Sequence, residues 1–376
     1  MTLLKVKKGA SKAKDPIQAI EELCAALYDQ DNSLVIFFTS IEYDLNLIET
    51  ALQGVFNCPV IGCTTAGEIS SEIGYNEGGI VGASLSSKHL VAHTKLIYPL
   101  SEYNFAEIKN LANEFRSELV MNSDFDSSRM FNILLIDGLS LLEEVAAASL
   151  STAFGGVSLV GGSAGDGQQF LDTFVYSNGK FYKNAASITL IETTLPFKII
   201  HIQNFEATNK RLVVTESDGA IRTVTEINGE SPAQEYAAAV GVDISEFTPK
   251  LFGANPLMLK VGGTDYVRSI QKVNPDGSIS FYCAIDNGLV LRVGRVKGVI
   301  ENLKENLLNL REDMPTLKIV IGFECVFRRF ELQRSDLVEE AEEVLKMIDF
   351  IGFSTYGEQI NGLHVNQTLT AVAIGE

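Results

Sequence analysis

Four histidines are the side chains in this sequence best suited to bind a transition metal near neutral pH: His89, His93, His201 and His364. His89 and His93 are four residues apart on an expected strand, where such side chains stand about 13 Å apart, too far to share one small metal ion. A single histidine is enough only where a macrocycle supplies the other ligands. His364 ranks first for that role because apolar residues flank it, and His201 ranks second.

One serine matches a catalytic pattern by letter. Ser163 lies in Gly161-Gly162-Ser163-Ala164-Gly165, which fits the G-x-S-x-G elbow of serine hydrolases. That elbow requires a helix directly after the serine, whereas Asp166-Gly167 and a weakly patterned stretch follow here. A structural turn is therefore the favoured interpretation, and we expect no catalytic activity. A serine hydrolase remains a remote alternative.

The cysteines indicate reduced thiols rather than a metal or disulfide framework. There are five of them, an odd and dispersed set, and Cys58 and Cys63 have no second pair nearby to complete a zinc site. Cys58 is followed by Pro59, which leaves a thiolate iron ligand as a minor alternative to histidine.

A glycine motif is repeated and ends in a carboxylate. It reads IGCTTAGE at 61–68, VGGSAGD at 160–166 and IGFSTYGE at 351–358. Such turns can serve the fold alone, because glycine permits a positive φ and a carboxylate can accept backbone N–H bonds. They can equally bind a ligand, since ligands of open α/β sheets sit at the carboxyl ends of strands. The candidate ligand-binding residues are Thr65, Gly67, Glu68, Gly357 and Glu358.

Five arginines form two groups near the third copy of the motif. Arg292 and Arg295 form one group, and Arg328, Arg329 and Arg334 form the other. Arginine binds carboxylate or phosphate in a bidentate manner, so this cluster could hold an anionic group. Ion pairs with neighbouring glutamates are the competing interpretation.

The segments around each glycine motif predict the elements that position it. A β-branched run precedes each copy, at 34–40, 131–137 and 317–323, and a helical pattern leads from each run to the motif. Ser140 with Glu143, and Ser335, are the expected helix N-caps. Another apolar run follows each motif, at 79–86, 186–192 and 368–375. We therefore predict an α/β fold with repeated β-α-β-glycine-turn-β units at both ends, parallel pairing within each unit and an inserted antiparallel β region. The turns should converge, with the first and third copies related by a pseudo-twofold axis.

Length and charge exclude several functional classes. The 376 residues carry a net charge of −18, which repels a phosphate backbone and argues against nucleic acid as a partner. No run of about 18 apolar residues exists, so we expect no membrane insertion. Residues 1–14 hold five lysines, no acid and no apolar core of a secretory signal, and they are predicted to be a disordered basic tail. A cytoplasmic location is the expectation.

Four segments give the sequence a family resemblance. They are VIGCTTAGEI at 60–69, VTEINGESPAQEYAAAVG at 224–241, LRVG to FECVFRRF at 291–330, and GFSTYGEQINGLHVNQTLTAVAIG at 352–375. Together they resemble the FIST family, the F-box and intracellular signal transduction proteins. The resemblance implies a FIST N-terminal domain over 15–220, a FIST C-terminal domain over 221–376, and a sensory module without catalysis. Small ligands such as amino acids are proposed for the family.

Stand-alone family members of this size imply a more specific function. A bacterial subset of such proteins binds haem, senses nitric oxide and signals to a partner histidine kinase, and this sequence resembles that subset. By this resemblance we expect haem b, with His364 as the axial metal ligand, His201 next, and Arg292 or Arg329 near the propionates. A sensor of a small polar metabolite, held by the turns and arginines, is the alternative. A homodimer is compatible with either function.

Overall fold

Three modules of the same construction make up most of the chain. The computed structural model describes residues 2–119 and 126–376. The elements up to the end of module 1 are β1 (Lys5–Ser11), α1 (Pro16–Leu27), β2 (Leu34–Thr39), α2 (Leu45–Leu52), β3 (Val60–Thr64), β4 (Glu68–Ser70), β5 (Gly74–Asn76) and β6 (Ile80–Ser86). Those up to the end of module 2 are β7 (Leu90–Ile97), α3 (Phe105–Glu118), β8 (Met130–Ile136), α4 (Glu143–Phe154), β9 (Ser158–Ser163), β10 (Val175–Ser177), β11 (Lys180–Tyr182) and β12 (Ala186–Thr193).

An antiparallel region separates module 2 from module 3. It contains β13 (Phe197–Gln203), β14 (Phe205–Asp218), β15 (Thr223–Ile227), α5 (Pro232–Val240), α6 (Pro249–Ala254), β16 (Leu257–Val261), β17 (Thr264–Arg268), β18 (Ile270–Val273), β19 (Ile279–Phe281) and β20 (Val290–Val296). Module 3 and the helix before it contain α7 (Val299–Asp313), β21 (Leu317–Cys325), α8 (Val326–Arg334), α9 (Val338–Leu345), β22 (Phe350–Thr355), β23 (Glu358–Ile360), β24 (Leu363–Val365) and β25 (Thr368–Gly375).

Module 1 is built around β2 to β6, module 2 around β8 to β12, and module 3 around β21 to β25. Each module has one parallel strand pair at its centre, as predicted. β2 pairs in parallel with β3, β8 with β9 and β21 with β22. The last strand of each module pairs antiparallel with the first strand of the parallel pair, on the edge away from its parallel partner. These antiparallel pairs are β6 with β2, β12 with β8 and β25 with β21. Apolar runs such as LVIFFT in β2 are buried on both faces, which explains why they read as continuous hydrophobic stretches.

The short hairpin after each glycine turn joins the sheet of a different module. Hairpin β4–β5 of module 1 pairs with β22 of module 3, and hairpin β23–β24 of module 3 pairs with β9 of module 2. Hairpin β10–β11 of module 2 pairs with β3 of module 1. The three six-stranded sheets therefore share one strand order: β1-β6-β2-β3-β10-β11, β7-β12-β8-β9-β23-β24 and β13-β25-β21-β22-β4-β5. This exchange is cyclic among three modules, so the predicted pseudo-twofold relation of the first and third copies is wrong.

The chain divides into two compact units that do not follow the sequence order. The first contains the three modules and comprises residues 1–202, 303–364 and 369–376. The second comprises residues 203–302 and 365–368 and holds the sheet β17-β16-β20-β14-β15-β19-β18. The sheet's pairings are antiparallel, which confirms the predicted inserted region. Its core comes from alternating residues such as Leu212, Val214 and Val224.

The prediction of a disordered tail over residues 1–14 is wrong for the part that the structure describes. Residues 5–11 form β1, which pairs along its whole length with β6. Leu4 is buried, and Lys8 Nζ lies 2.6 Å from a carboxylate oxygen of Asp349. The alternating pattern of this strand allows its lysines to reach carboxylates, which the local charge count does not reveal. Met1 lies outside the described residues.

Smaller corrections concern the helix ends. Neither Ser140 nor Ser335 caps its helix, since α4 and α9 begin after Leu142 and Leu337 without a side-chain cap. Gly155 ends α4 in the left-handed conformation, as its position predicts. No helix within the described residues combines the length and the apolar content needed to cross a lipid bilayer.

Candidate functional site

The three glycine turns meet and bond to one another. The backbone contacts are Ala66 N–H to Ser354 O at 2.9 Å, Gly167 N–H to Thr65 O at 3.0 Å, and Ser163 N–H to Gly357 O at 2.8 Å. Each turn therefore bonds to both others, which confirms the predicted convergence. The cause is the hairpin exchange, because every hairpin leaves its own module at its glycine turn and must cross to the next sheet there.

Turns 1, 2 and 3 are the glycine turns of the motifs at 61–68, 160–166 and 351–358. Turns 1 and 3 have the same internal hydrogen bonds. Thr65 Oγ1 donates to Glu68 Oε1 at 2.6 Å and accepts the Gly67 N–H at 3.1 Å. In the third copy the Thr355 hydroxyl donates to Glu358 in the same way and accepts the Gly357 N–H. The glutamate thus closes each turn over its threonine. These bonds account for the repeated spacing T-x-G-E.

Glu68 is fully buried, and its carboxylate accepts three donors. Besides Thr65, the Gly79 N–H donates at 3.0 Å and the Asn76 side-chain amide at 3.2 Å. Burial raises the pKa of Glu68 to about 7, although these three donors act to lower it. The side chain can therefore gain or lose a proton near neutral pH, which makes it sensitive to charge placed beside it.

Turn 2 is organised by Asp166. Its carboxylate accepts the backbone N–H groups of Phe170, Leu171 and Asp172 at 2.9, 2.7 and 2.8 Å. The Tyr356 hydroxyl of turn 3 also donates to Asp166, and the Tyr356 ring stacks on Phe170 with centroids 4.5 Å apart. Both contacts tie the loop after turn 2 to turn 3.

A cavity of about 170 Å³ opens where turns 1 and 2 face each other. Turn 1 and nearby loops of module 1 supply Ser40, Ile41, Glu42, Thr65, Ala66, Gly67, Glu68, Glu77 and Gly78, and the loop after turn 2 supplies Asp166, Gly167, Gln168 and Gln169. Three of the five predicted ligand-binding residues, Thr65, Gly67 and Glu68, line it. Gly357 and Glu358 lie in turn 3, away from its lining.

The predicted arginine cluster is divided between the two compact units. Arg329, in α8, is buried, and its guanidinium donates to the carbonyl oxygens of Ala66 and Asn76 at 3.4 and 3.2 Å while pairing with Glu77 at 3.0 Å. It therefore supports turn 1. Arg292 belongs to the second unit and pairs with Asp265. Both guanidiniums have protein partners, in line with the interpretation as ion pairs.

His364 lies in β24 and is buried. It is 1 % exposed, and its Nδ1 lies 3.1 Å from the Gln359 amide nitrogen, which also donates to Ser163 Oγ at 2.8 Å. An axial haem ligand needs one open ring nitrogen with room for a flat macrocycle beside it. The surroundings of His364 in this conformation do not fit a haem. Its role as metal ligand remains a prediction.

The other histidines differ in their environments. His201 lies half-buried in β13, where burial, and then the charge of Arg328, lower its pKa to about 4. Its imidazole is therefore neutral at pH 7. The Nδ1 atom of His93 lies 3.8 Å from Glu118, and that of His89 lies 3.0 Å from the Thr194 hydroxyl. No group of three or more metal-binding side chains occurs within the described residues.

Ser163 ends β9 and is buried. No helix begins after it; the chain runs without regular structure from Ala164 to Phe174. The strained strand-to-helix elbow is therefore absent at this serine. Its environment is that of a turn residue.

Sequence reasoning missed several residues of the site. Tyr356 and Phe170 join turns 2 and 3, and Arg329 was considered as an anion ligand rather than as the support of turn 1. The signal for Tyr356 is that it stands where the first copy has Ala66, in an octapeptide with five of eight positions identical. A large aromatic residue in one copy of a repeat indicates a contact that the other copies lack.

Comparison with known proteins identifies two family domains in the chain. Residues 33–230 match the FIST N domain and residues 232–361 match the FIST C domain. A search of curated proteins found no match. The two domain matches cover most of the chain. The protein therefore belongs to the FIST family, whose paired domains are sensor domains of signal transduction.

Proposed function

We propose that this protein senses a small polar metabolite with an amino group, such as an amino acid, in the cavity between turns 1 and 2. The observation that supports the proposal is the position of this cavity at the point where the three modules bond. A ligand there touches module 1 and the loop of module 2 at once. It can therefore shift an equilibrium between two relative positions of modules 1 and 2. The size of that shift is set by the difference in the ligand's affinity for the two states.

The cavity has the size and polarity for such a ligand. A water molecule occupies about 30 Å³ in the liquid, so 170 Å³ has room for roughly five or six atoms of that size. Hydroxyl, amide and carboxylate groups line it, which suits a polar molecule better than an apolar one.

The carboxylates favour a cationic group on the ligand. Four carboxylates line the cavity: Glu42, Glu68, Glu77 and Asp166. Glu77 is neutralised by Arg329, while Asp166 is occupied by backbone donors. The exposed Glu42 forms no ion pair within the described residues. An ammonium group between Glu42 and Glu68 would compensate both, and it would favour the ionised form of Glu68.

Calorimetric titration of the full chain with the common amino acids and simple amines tests the proposal. Glu42→Gln should weaken binding of an amine ligand at least five-fold, while Glu102→Gln, an exposed change elsewhere, should leave it unaltered. The ligand should also raise the free energy of unfolding, by about 2.7 kcal/mol at a ligand concentration of 100 times Kd. Failure of every amine and amino acid to bind, or equal binding by the Glu42 variant, would refute this site.

Haem b with nitric oxide sensing, acting on a partner histidine kinase, is the more specific function that the family resemblance implies. Protein purified from haem-supplemented cells tests it directly by a Soret absorption band. If His364 is the axial ligand, His364→Ala should abolish or shift the band of the ferric protein, and His89→Ala should not. An unchanged spectrum in the His364 variant would exclude that ligand. A fluorophosphonate probe tests the expectation of no catalysis, since labelling of Ser163 would contradict it.

A further inference from the structure

The three exchanged hairpins end differently on the helices of their host modules. A Cβ atom built on Gly362, at the tip of β23–β24, would lie 3.4 Å from Ser151 Cβ of α4, so this tip packs on a helix. In hairpin β4–β5 the helix contact is at Gly74, the first residue of β5, where a Cβ atom would lie 2.2 Å from Glu342 Oε1 of α9. Gly179, at the tip of β10–β11, corresponds to Gly362, and no atom of the described residues lies within 4 Å of its Cβ position. This third tip stands over open space.

The space belongs to a cavity of about 550 Å³ between hairpin β10–β11 and module 1. Its lining is Glu49, Thr50, Leu52, Gln53, Gly54, Phe56, Cys58, Pro59, Val60, Thr94, Tyr176, Asn178, Gly179 and Lys180. This volume falls within the usual range for small-molecule pockets, about 300–1,000 Å³. The cavity is separate from that of the glycine turns, with which it shares no lining residue.

The hairpin keeps its place without filling the cavity. Glu49 Oε1 on α2 accepts the Phe181 N–H at 2.6 Å, just as Glu342 Oε1 on α9 accepts the Tyr75 N–H at 2.9 Å. The same helix-to-hairpin contact therefore fixes both hairpins. The cavity in module 1 is therefore not caused by loss of the bond between helix and hairpin, because that bond is present in module 1 as it is in module 3.

The chemistry of the lining is divided between apolar and polar groups. Leu52, Phe56, Val60 and the buried ring of Tyr176 give an apolar part. The polar part contains amide and hydroxyl groups and two charged side chains, Glu49 and Lys180. Lys180 is exposed and forms no ion pair with any described residue. Glu49 has one oxygen committed to the hairpin backbone, so Lys180 is the charge most open to a ligand.

We propose that this cavity binds a small amphipathic anion, a molecule with a flat apolar body and one carboxylate or sulfonate group. The apolar body would lie on Phe56 and Tyr176, where burial of apolar surface favours binding. The anion would face the Lys180 ammonium. Such a ligand would bridge α2 and hairpin β10–β11, which continues back into the loop lining the first cavity.

Anilinonaphthalene sulfonate is a suitable fluorescent probe because it has both features. It should bind the native protein with one saturable site, and Lys180→Glu should weaken binding at least five-fold. Gln53→Trp, which places an indole at the cavity, should abolish it. Lys272→Glu makes the same change of charge in the second unit and should have no effect. Far-ultraviolet circular dichroism confirms that each variant remains folded.

Competition separates the charge from the apolar body. 1-Naphthoate should displace the probe at least ten-fold more effectively than 1-naphthylmethylamine, which has the same ring system and the opposite charge. Equal displacement by the amine, or probe binding that neither Lys180→Glu nor Gln53→Trp alters, would overturn the proposal. Both measurements are independent of amino acid binding at the glycine turns.

Discussion

Glu68 is the residue at which turn geometry and charge are most closely linked. Its carboxylate closes turn 1, lines the first cavity and is held away from water. Because burial raises its pKa from 4.5 to about 7, the unfolded chain ionises this group at lower pH than the folded protein does. The contribution of Glu68 to the free energy of unfolding should therefore fall as pH rises from about 4.5 to about 7, and stay constant above that.

Glu68→Gln removes this titration. At about 1.4 kcal/mol per pKa unit, the stability of the wild-type protein relative to the variant should fall by about 3 kcal/mol across that interval. Urea unfolding of both proteins at several pH values between 4.5 and 8 measures the difference. Glu102→Gln serves as an exposed control. If the difference in unfolding free energy between wild type and variant did not change with pH, the pKa of Glu68 would be the same in the folded and unfolded chains.

Gly67 cannot carry a side chain, for two separate reasons. Its φ is +135°, and a Cβ atom would lie 1.7 Å from Arg329 Nη1. Gly54 also has a positive φ, +73°, but open space around it. Gly54→Ala should therefore cost about 1 kcal/mol of unfolding free energy through backbone strain alone, and Gly67→Ala considerably more, about 3 kcal/mol or above.

A double variant distinguishes the two causes at Gly67. If the clash with Arg329 dominates, adding Arg329→Ala to Gly67→Ala should cost less than Arg329→Ala costs in the wild-type protein. This is a thermodynamic cycle, and urea unfolding provides each of its four stabilities. Strictly additive costs would instead assign the penalty at Gly67 to its backbone conformation.

At the scale of elements, β1 is the clearest test of the corrected N-terminus. Removal of residues 1–12 would delete the partner of one edge of β6 and the buried side chain of Leu4. We expect the free energy of unfolding to fall by at least about 3 kcal/mol, since burial of one leucine alone is worth about 1.5–3 kcal/mol. Differential scanning calorimetry would detect the accompanying drop in Tm. An unchanged Tm would instead support the original prediction that the N-terminal residues are a disordered tail.

The predictable elements are those whose pattern is local. The parallel strands, α1, α7 and the inserted antiparallel strands follow from apolar runs and periodicity. Helix α8 does not, because its sequence VFRRFELQR buries Arg328 and Arg329, which periodicity counts as exposed. Arg328 is compensated by Glu324, four residues earlier in β21, at 3.1 Å. Burial acts to lower the pKa of Arg328, and the Glu324 carboxylate acts to raise it.

The candidate site was predictable in the same local sense. The Thr-x-Gly-Glu turns could be identified because their hydrogen bonds join residues two or three apart. The cavity could not, since it depends on which sheet each hairpin joins. Three-residue strands such as β4 and β10 contain no pattern that selects a partner more than a hundred residues away.

At the scale of the whole molecule, the two family domains do not correspond to separable folding units. A chain of residues 1–230 would contain hairpin β4–β5 without its host strand β22, and β9 without hairpin β23–β24. We expect this fragment to unfold without a cooperative transition and to be rapidly cleaved by protease. Mixing with residues 231–376 should restore protection. A stable, cooperatively unfolding fragment would contradict the closed exchange of hairpins.

The exchange also has a consequence for the protein while it is being synthesised. Ser70 pairs with Ile351, which the ribosome adds 281 residues later. At about 5–20 residues per second, hairpin β4–β5 waits roughly 15–55 s for its host strand. During that time the edge of β9 is open as well, and unpaired strand edges promote aggregation. The nascent chain should therefore depend on chaperones that bind it before module 3 emerges. That need should end when β22 and β23 are synthesised and pair with β4 and β9.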